Sequence, residues 1–446
     1  MASEIKNVDS IEDPSKGCLE SPKYSCALGG VLNAANNIYR VVPIIHAGPG
    51  CGQNQNFNSY SAGSQGTGYL GGTLTPSSNI TEKEVVFGGE GRLREQIEST
   101  LELIDGDLFV VMTGCIPSLI GDDTSSVVGD FKKQGYPIIS VNSAGFLGSS
   151  YYGYELFLEA VIDQLLKPSD GVVKGSVNIL GIVPYMDLFW RGDLNEIKRV
   201  LELLGLSVNV IFGDFGGVEN LRKIPSAELN IVLSPWVGVR IAELLKEKFG
   251  TSYVIAPIPS GIRDTSNFLR TISEKLALPQ DLVDSVIQNE ERETYKYLDL
   301  AADMTTTFSS ALPFAVISNS ANAIKLTRFL ANEAGFTPSL VVIDDNPPLE
   351  VRDTIIGYFN GLASVIPPKI IFEVDSYKIR QELKKTNFNL LLSSSQERYF
   401  AADLKAGHLT ASFPTANRMY ITRSYAGYRG GITLLEDVLS IFINPY

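Results

Sequence analysis

Four cysteines and two histidines carry most of the chemistry open to this chain, and their placement is uneven. Cys18, Cys26, Cys51 and Cys115 all lie in the N-terminal region of the 446 residues, while His46 and His408 stand far apart. Clustered thiols fit metal binding, redox chemistry or plain burial, because free cysteine is among the most buried residue types. Three of them share a context. Cys51 sits in His46-Ala-Gly-Pro-Gly-Cys-Gly52, and Cys115 in Met112-Thr-Gly-Cys-Ile-Pro117, each directly after an apolar run that reads as a buried strand. In an open parallel sheet the carboxyl ends of the strands form the ligand crevice, so both thiols are expected at one edge. Cys26 opens an apolar helical stretch, where the helix N-terminus favours a thiolate or an anion. Thiolates gathered around exposed backbone N–H groups suit an iron–sulfur cluster, which takes soft ligands and hydrogen bonds to sulfide. The gaps of 25 and 64 residues lack the close C-x-x-C pairs of zinc sites and thioredoxin-type redox sites.

The elements that must position these residues are those of an α/β chain. Around the thiols the pattern predicts a helix over 26–38, a strand over 40–46, a helix over 91–104 and strands over 108–113 and 138–141. A helix over 154–166 follows. The Gly/Ser/Asn-rich stretch Gly48–Asn79 lacks periodicity and is expected as a loop of about 30 residues, a length more often functional than not. From about Ser176 short apolar runs alternate with amphipathic helices, which predicts parallel sheets covered on both faces. In a charged segment over 279–307, residues 288–303 read as a long linking helix, after which the alternation restarts at Pro313 and ends in a helix over 432–441. The expected architecture is three doubly wound, Rossmann-like parallel-sheet domains: 1–170 with the thiols, 171–278, and 279–446 with the linking and C-terminal helices.

Composition narrows the class. With 37 basic and 50 acidic residues the net charge is −13, which argues against a nucleic-acid binder. No run reaches the roughly 18 apolar residues needed to span a bilayer, and the polar N-terminus lacks a signal-peptide core, so a cytoplasmic protein is expected. Apolar content of 44% and charged content of 20% are those of globular chains.

The words around the thiols then narrow the family. His46-Ala-Gly-Pro-Gly-Cys-Gly52, Thr81-Glu-Lys-Glu-Val-Val-Phe-Gly-Gly-Glu90 and Gly114-Cys-Ile-Pro-Ser-Leu-Ile-Gly-Asp-Asp123 resemble, in order and spacing, the segments that hold the P-cluster in the nitrogenase component 1 family. The resemblance implies that Cys26, Cys51 and Cys115 ligate a P-cluster-type iron–sulfur cluster (8Fe-7S, with 4Fe-4S as the fallback). It implies that a homologous α-like subunit carries the active-site metal cofactor and supplies three more thiolates. It also implies docking of an ATP-dependent iron protein and an α2β2 heterotetramer. Pro259-Ser-Gly-Ile-Arg-Asp-Thr-Ser-Asn-Phe268, Ser412-Phe-Pro-Thr415 and Gly427-Tyr-Arg-Gly-Gly431 are similar to the β-type pattern, with no cysteine after Cys115 and with His408 ahead of the Ser-Phe-Pro turn. The implied function is that of a β-like subunit relaying electrons in a nitrogenase-type reductase. The alternative is a scaffold subunit for nitrogenase cofactor assembly, against which the complete set of three thiols weighs.

Two departures from the family pattern point to an alternative nitrogenase or a nitrogenase-like reductase such as the methylthio-alkane reductases. In Ala144-Gly-Phe-Leu-Gly-Ser149, Gly145 stands where the molybdenum-type β subunit has a cluster-ligating serine, and the long N-terminal extension of that type is missing. Cys18 has no firm counterpart in the family. His46 is expected as a strand-end residue bonded to local backbone. For Glu82, Glu84, Glu90, Asp122 and Asp123, helix capping and solvation explain the charges more simply than metal ligation.

Overall fold

The computed structural model describes residues 20, 22–66, 68–69, 75–213, 216–309 and 312–443, without the side chains at 54–57, 59 and 304–309. Cys18 and part of the Gly63–Gly72 stretch lie outside the described residues. Three sheets, parallel throughout, follow one another along the chain. The first comprises β1 (Val41–His46), β2 (Leu108–Thr113) and β3 (Ile138–Asn142), in the order β1-β2-β3. The second comprises β4 (Val173–Leu180), β5 (Ser207–Asn209), β6 (Ala227–Val232) and β7 (Ser252–Ile255), in the order β5-β4-β6-β7. The third holds β8 (Pro313–Ser318), β9 (Thr337–Ile343), β10 (Lys369–Phe372), β11 (Leu390–Ser393) and β12 (Gly407–Thr410), in the order β10-β9-β8-β11-β12.

Both faces of the first sheet are covered, which is why its strands read as unbroken apolar runs. Val42, Ile44, Phe109 and Val111 pack on Leu93, Ile97, Val127, Val128 and Phe131. On the other face Val41, Ile45, Val110 and Met112 join Leu28, Tyr154 and Phe157 in a core that continues without a break into the second sheet. Strand order in this sheet follows chain order, so the second face is covered by helices lying before β1 (Ala27–Asn36) and after β3 (Ser150–Gln164). These two helices are in backbone contact. A Cβ on Gly30 would lie 2.0 Å from the Ser150 carbonyl oxygen, and one on Gly153 would lie 2.1 Å from that of Ala27.

The expected loop over 48–79 contains a helix, Pro49–Ser61. It opens on Pro49, favoured at the first helical position, but its run of Gly, Gln, Asn and Ser carries no apolar stripe, so periodicity missed it. The linking helix is longer than read, Gln280–Ser309. The C-terminal helix begins within the glycines, Gly427–Ile443, and packs on the helices Trp190–Leu203, Gly261–Lys275 and Gln280–Ser309. No described helix is long and apolar enough to cross a membrane.

Candidate metal centre

Each of the three described thiols stands in the first turn of a helix. Cys26 is the N-cap of Ala27–Asn36, Cys51 is the third residue of Pro49–Ser61, and Cys115 is the first residue of Cys115–Ile120. β1 and β2 bring two of these turns together. His46 pairs with Thr113, and the Gly114 N–H donates to the His46 carbonyl at 2.8 Å. A Cβ on Gly114 would lie 2.6 Å from the Ala47 Cβ, so only glycine lets the two turns nest. Cys26 arrives from the β3 side, bridged to Ser149, with the Ala27 N–H donating to the Gly148 carbonyl at 2.8 Å.

Gly145 is the residue on which two of the thiols close. Its N–H donates to Cys115 Sγ at 3.0 Å. A Cβ there would lie 3.1 Å from Cys115 Sγ and 3.2 Å from Cys26 Sγ, so the missing side chain leaves a cradle between two sulfurs. Ser143, the nearby hydroxyl, is buried and donates to the Thr113 carbonyl at 3.0 Å.

Burial pushes the Cys51 thiol above its ordinary value, and the neighbouring Cys115 and Cys26 act in the same direction. Three crowded sulfurs disfavour one another's ionisation until a cation joins them, and a coordinated thiol is deprotonated outright. Helix N-termini and the Gly145 N–H supply the donors that thiolate sulfur and sulfide accept. Among the described residues no three His, Cys, Asp or Glu side chains close on a single metal ion. Soft thiolate donors beside backbone N–H groups are the chemistry that an iron–sulfur group takes.

Apolar side chains surround this edge and face outward. Phe87 is 81% exposed, Leu119 74% and Phe146 59%, with Val86, Ile116 and Leu147 beside them in sequence. The helix Glu82–Phe87 packs on Cys115–Ile120, so Val86, Phe87, Ile116 and Leu119 stand on adjoining elements, and exposed apolar side chains grouped in this way mark an interaction surface.

The polar residues of the three segments hold the turns. His46 is buried, with Nδ1 2.9 Å from Ser78 Oγ and Nε2 3.0 Å from Asp122 Oδ2, and burial lowers its pKa. Its partners are side chains, not the local backbone expected. Asp122 also accepts the Gly89 N–H at 2.8 Å, and Glu90 accepts the Asp123 N–H at 2.9 Å. Asp123 caps Thr124–Lys133, and Glu84 closes a capping box with Thr81. Capping accounts for these carboxylates, and Glu82 likewise lies in the first turn of its helix. Tyr151 and Tyr154 are core residues, and the Tyr69 hydroxyl donates to the Asp105 carbonyl of its own chain. What local sequence did not signal is the anchoring of Lys23, which pairs with Asp344, 321 residues away.

The carboxyl end of β7 borders a cavity lined by Ile255, Pro257, Asp264, Phe268 and Arg328, and beside it backbones meet closely. The Gly427 N–H donates to the Pro259 carbonyl at 2.9 Å, and a Cβ on Gly431 would lie 2.7 Å from the Gly261 Cα. Glu333 accepts the N–H groups of Ile262 and Arg263, both at 2.8 Å, at the start of Gly261–Lys275. His408 Nε2 lies 3.0 Å from Ser393 Oγ and 3.1 Å from the Ser394 carbonyl, with its pKa pushed down to about 4 by burial.

Three parallel sheets with helix-borne thiols at the first edge define an α/β scaffold built for a redox group. Residues 26–443 match the model of the nitrogenase component 1 type oxidoreductases, and the chain belongs to that family. Within it the chain is β-like. It is 25% identical to the nitrogenase iron-iron protein beta chain of Rhodobacter capsulatus, over 94% of this chain and 92% of that one. It is 29% identical to the nitrogenase iron-molybdenum cofactor biosynthesis protein NifE of the same organism, over 64% of this chain and 61% of that one. The solved structure of nitrogenase Cp1 at pH 6.5 superposes with a TM-score of 0.79 at 20% identity, covering 98% of this chain and 95% of that one, and has the same fold.

Proposed function

We propose that this β-like subunit holds, through Cys26, Cys51 and Cys115, an iron–sulfur cluster of the 8Fe-7S P-cluster type, or 4Fe-4S as the fallback, at an interface with an α-like partner. The observation that carries the reading is the convergence at Gly145, whose N–H meets one thiol and whose absent Cβ leaves room between two. When bound, the cluster supplies one-electron storage between an ATP-dependent iron protein and the metal cofactor of the α-like partner. The chain's own residues position three thiolates, direct helix N-termini and the Gly145 N–H at sulfur, and keep that edge half-buried. The exposed patch around Phe87, Leu119 and Phe146 offers a surface for the partner, which would exclude water from the remaining side. An α2β2 heterotetramer in the cytoplasm is part of the same proposal, as are the roles of the partner and the iron protein.

A second reading, a scaffold for cofactor assembly, is favoured by the partial similarity to NifE, whose alignment covers 64% of this chain. The likeness to the beta chain covers 94%, which favours the reductase subunit.

The test is iron and sulfide per protein after anaerobic purification, with the co-purifying chains identified. The reductase reading expects about eight irons per interface cluster, further metal, and a homologous α-like chain. A chain that purifies alone with about four irons or fewer favours the scaffold. Cys51→Ala is expected to lose interface iron and reductase activity together, and full activity with normal iron in that variant would overturn the assignment.

A further inference from the structure

A cavity of about 500 Å³ lies at the end of β1 opposite to the thiols. Tyr39, two residues ahead of β1, lines it, so the strand, about 20 Å long, separates the cavity from the turn that carries Cys51. The first unit contributes the end of the helix Ala27–Asn36 and the turn after Pro49–Ser61. The second contributes Arg191, the second residue of Trp190–Leu203. These walls are fixed. A Cβ on Gly68 would lie 1.9 Å from the Asn36 carbonyl oxygen, so the turn and the helix end are in backbone contact. The Tyr185 hydroxyl donates to the Gly66 carbonyl at 2.7 Å, and the Gly213 N–H donates to the Asn37 carbonyl at 2.8 Å. Buried Gln65 donates from Nε2 to the carbonyls of Ala62 at 2.7 Å and Leu188 at 2.9 Å.

Arg191 is the one cation lining this space among the described residues. Its guanidinium lies 4.4 Å from the centroid of the Trp190 ring, and Nη1 donates to the Gln65 carbonyl at 2.9 Å. Among the described residues no carboxylate pairs with it, whereas the half-buried Arg199, Arg328 and Arg423 each hold one. Stacking and the Nη1 bond fix the guanidinium plane and leave Nε and Nη2, an edge that takes a carboxylate or phosphate side-on. The amino end of Trp190–Leu203 adds a positive field to the same wall.

A second wall has the reverse character. The helix Ala27–Asn36 ends there, and Asn37 has a buried Oδ1 without a hydrogen-bond partner, while its Nδ2 donates to the Asn33 carbonyl at 2.8 Å. An orphaned buried acceptor and the carboxyl end of a helix both favour a donor. Tyr39, which is 61% exposed, sets its ring at 76° to that of Tyr69 with centroids 5.4 Å apart, and gives the cavity an aromatic rim.

We propose that this cavity binds a small organic anion whose carboxylate or phosphate meets Arg191 and whose hydroxyl or amine meets Asn37. Such a ligand touches both units and ties the first to the second. The site stands apart from the thiols, and its occupancy can be read whether or not the chain carries iron.

The experiment is calorimetric titration of the full chain, in the form in which it purifies, with L-malate, glycerol 3-phosphate and glycerol. At least one of the two anions is expected to bind with a Kd below about 1 mM, and glycerol, which lacks an anionic group, at least about tenfold more weakly. Binding of malate alone identifies a carboxylate ligand, and binding of glycerol 3-phosphate alone a phosphate ester; either supports the proposal. Arg191→Lys keeps the charge without the planar fork and is expected to weaken binding about tenfold. Asn37→Ala should weaken it about threefold or more, through loss of the acceptor. Tyr39→Ala alters an exposed side chain, serves if the other variants do not fold, and should also weaken binding about threefold. Arg352→Met removes another half-buried arginine, outside the cavity, and is expected to leave the Kd unchanged. Absence of binding by both anions at about 10 mM, glycerol binding as tightly as they do, or a wild-type Kd in Arg191→Lys would overturn the proposal. If only Tyr39→Ala folds, a wild-type Kd in that variant overturns it.

Discussion

The carboxyl edge of the first sheet and the region just beyond the second sheet's carboxyl edge are built from the same parts, glycine turns that open helices, and put them to different uses. At the first, the turns after β1 and β2 carry Gly48, Cys51, Gly114 and Cys115, and the facing turn after β3 carries Gly145, so two sulfurs and an N–H donor meet there. Beyond the second, the glycines are used to bring elements into contact. Gly261 and Gly431 let the C-terminal helix touch the helix Gly261–Lys275, and the Glu333 carboxylate occupies the N–H groups that begin the latter. A parallel-sheet edge is a binding site only where the loops keep large side chains out of it. The same residue type thus leaves room between two sulfurs at one edge and brings two helices into contact beyond another.

Substitutions can separate the two roles of glycine. The largest effect is expected at Gly30, where any side chain meets the Ser150 carbonyl. Gly30→Val should destabilise the chain by more than about 4 kcal/mol, or prevent folding, as read by urea unfolding. Beyond β7, Gly261 has φ +75° and its Cβ would lie 2.5 Å from Glu333 Oε2. Gly261→Val should cost about 3 kcal/mol while leaving iron per protein unchanged, because it lies away from the thiols. Gly145→Val should do the reverse. Its stability stays within about 1 kcal/mol of wild type, but crowding two sulfurs lowers iron retention by about 10–100-fold, measured by chelator competition. If Gly261→Val strips the iron, or Gly145→Val leaves it in place, the contrast between the edges fails.

The smallest effect concerns a buried acid at the third sheet's edge. Asp345 Oδ2 accepts from Trp236 Nε1, the Ser320 N–H and the Ser320 hydroxyl, while its buried Oδ1 has no hydrogen-bond partner. Burial raises its pKa to about 6, against the hydrogen bonds that favour the anion. The folded chain then keeps this proton where the unfolded chain has released it. The contribution is full below about pH 4, the ordinary aspartate range, and is lost as pH rises through about 6. Relative to Asp345→Asn, wild type should lose about 2–3 kcal/mol between pH 4 and pH 8 in urea unfolding across that range. A parallel pH dependence in the two proteins would show that Asp345 is ionised throughout.

Local signals made much of this legible. Strands such as β1 and β2 stand where their apolar runs predicted, because a strand buried on both faces must be apolar along its length. Cys51 and Cys115 were legible as candidates because a thiol in a glycine turn directly after a buried strand has one sheet edge to occupy. Asp123 and Glu84 were legible as caps for the same local reason. The helix Pro49–Ser61 was not, since its residues bear no apolar periodicity and it is held by the turn it begins. The extension of the last helix back through Gly427 was not legible either, because glycine there reads as a turn until the neighbouring helix is in place.

By itself, then, the sequence determined which residues could ligate metal and which segments could be strand or helix, because both follow from side-chain chemistry and from periodicity along a few neighbours. Tertiary structure alone decided that Cys26 and Cys115 close around Gly145, that Gly261 and Gly431 bring two helices into contact, and that Lys23 reaches Asp344. These are contacts between segments up to 321 residues apart, where the deciding quantity is the space left when backbones meet. No short window of residues encodes that space. It exists only once the sheets are stacked and the helices have closed on their glycines.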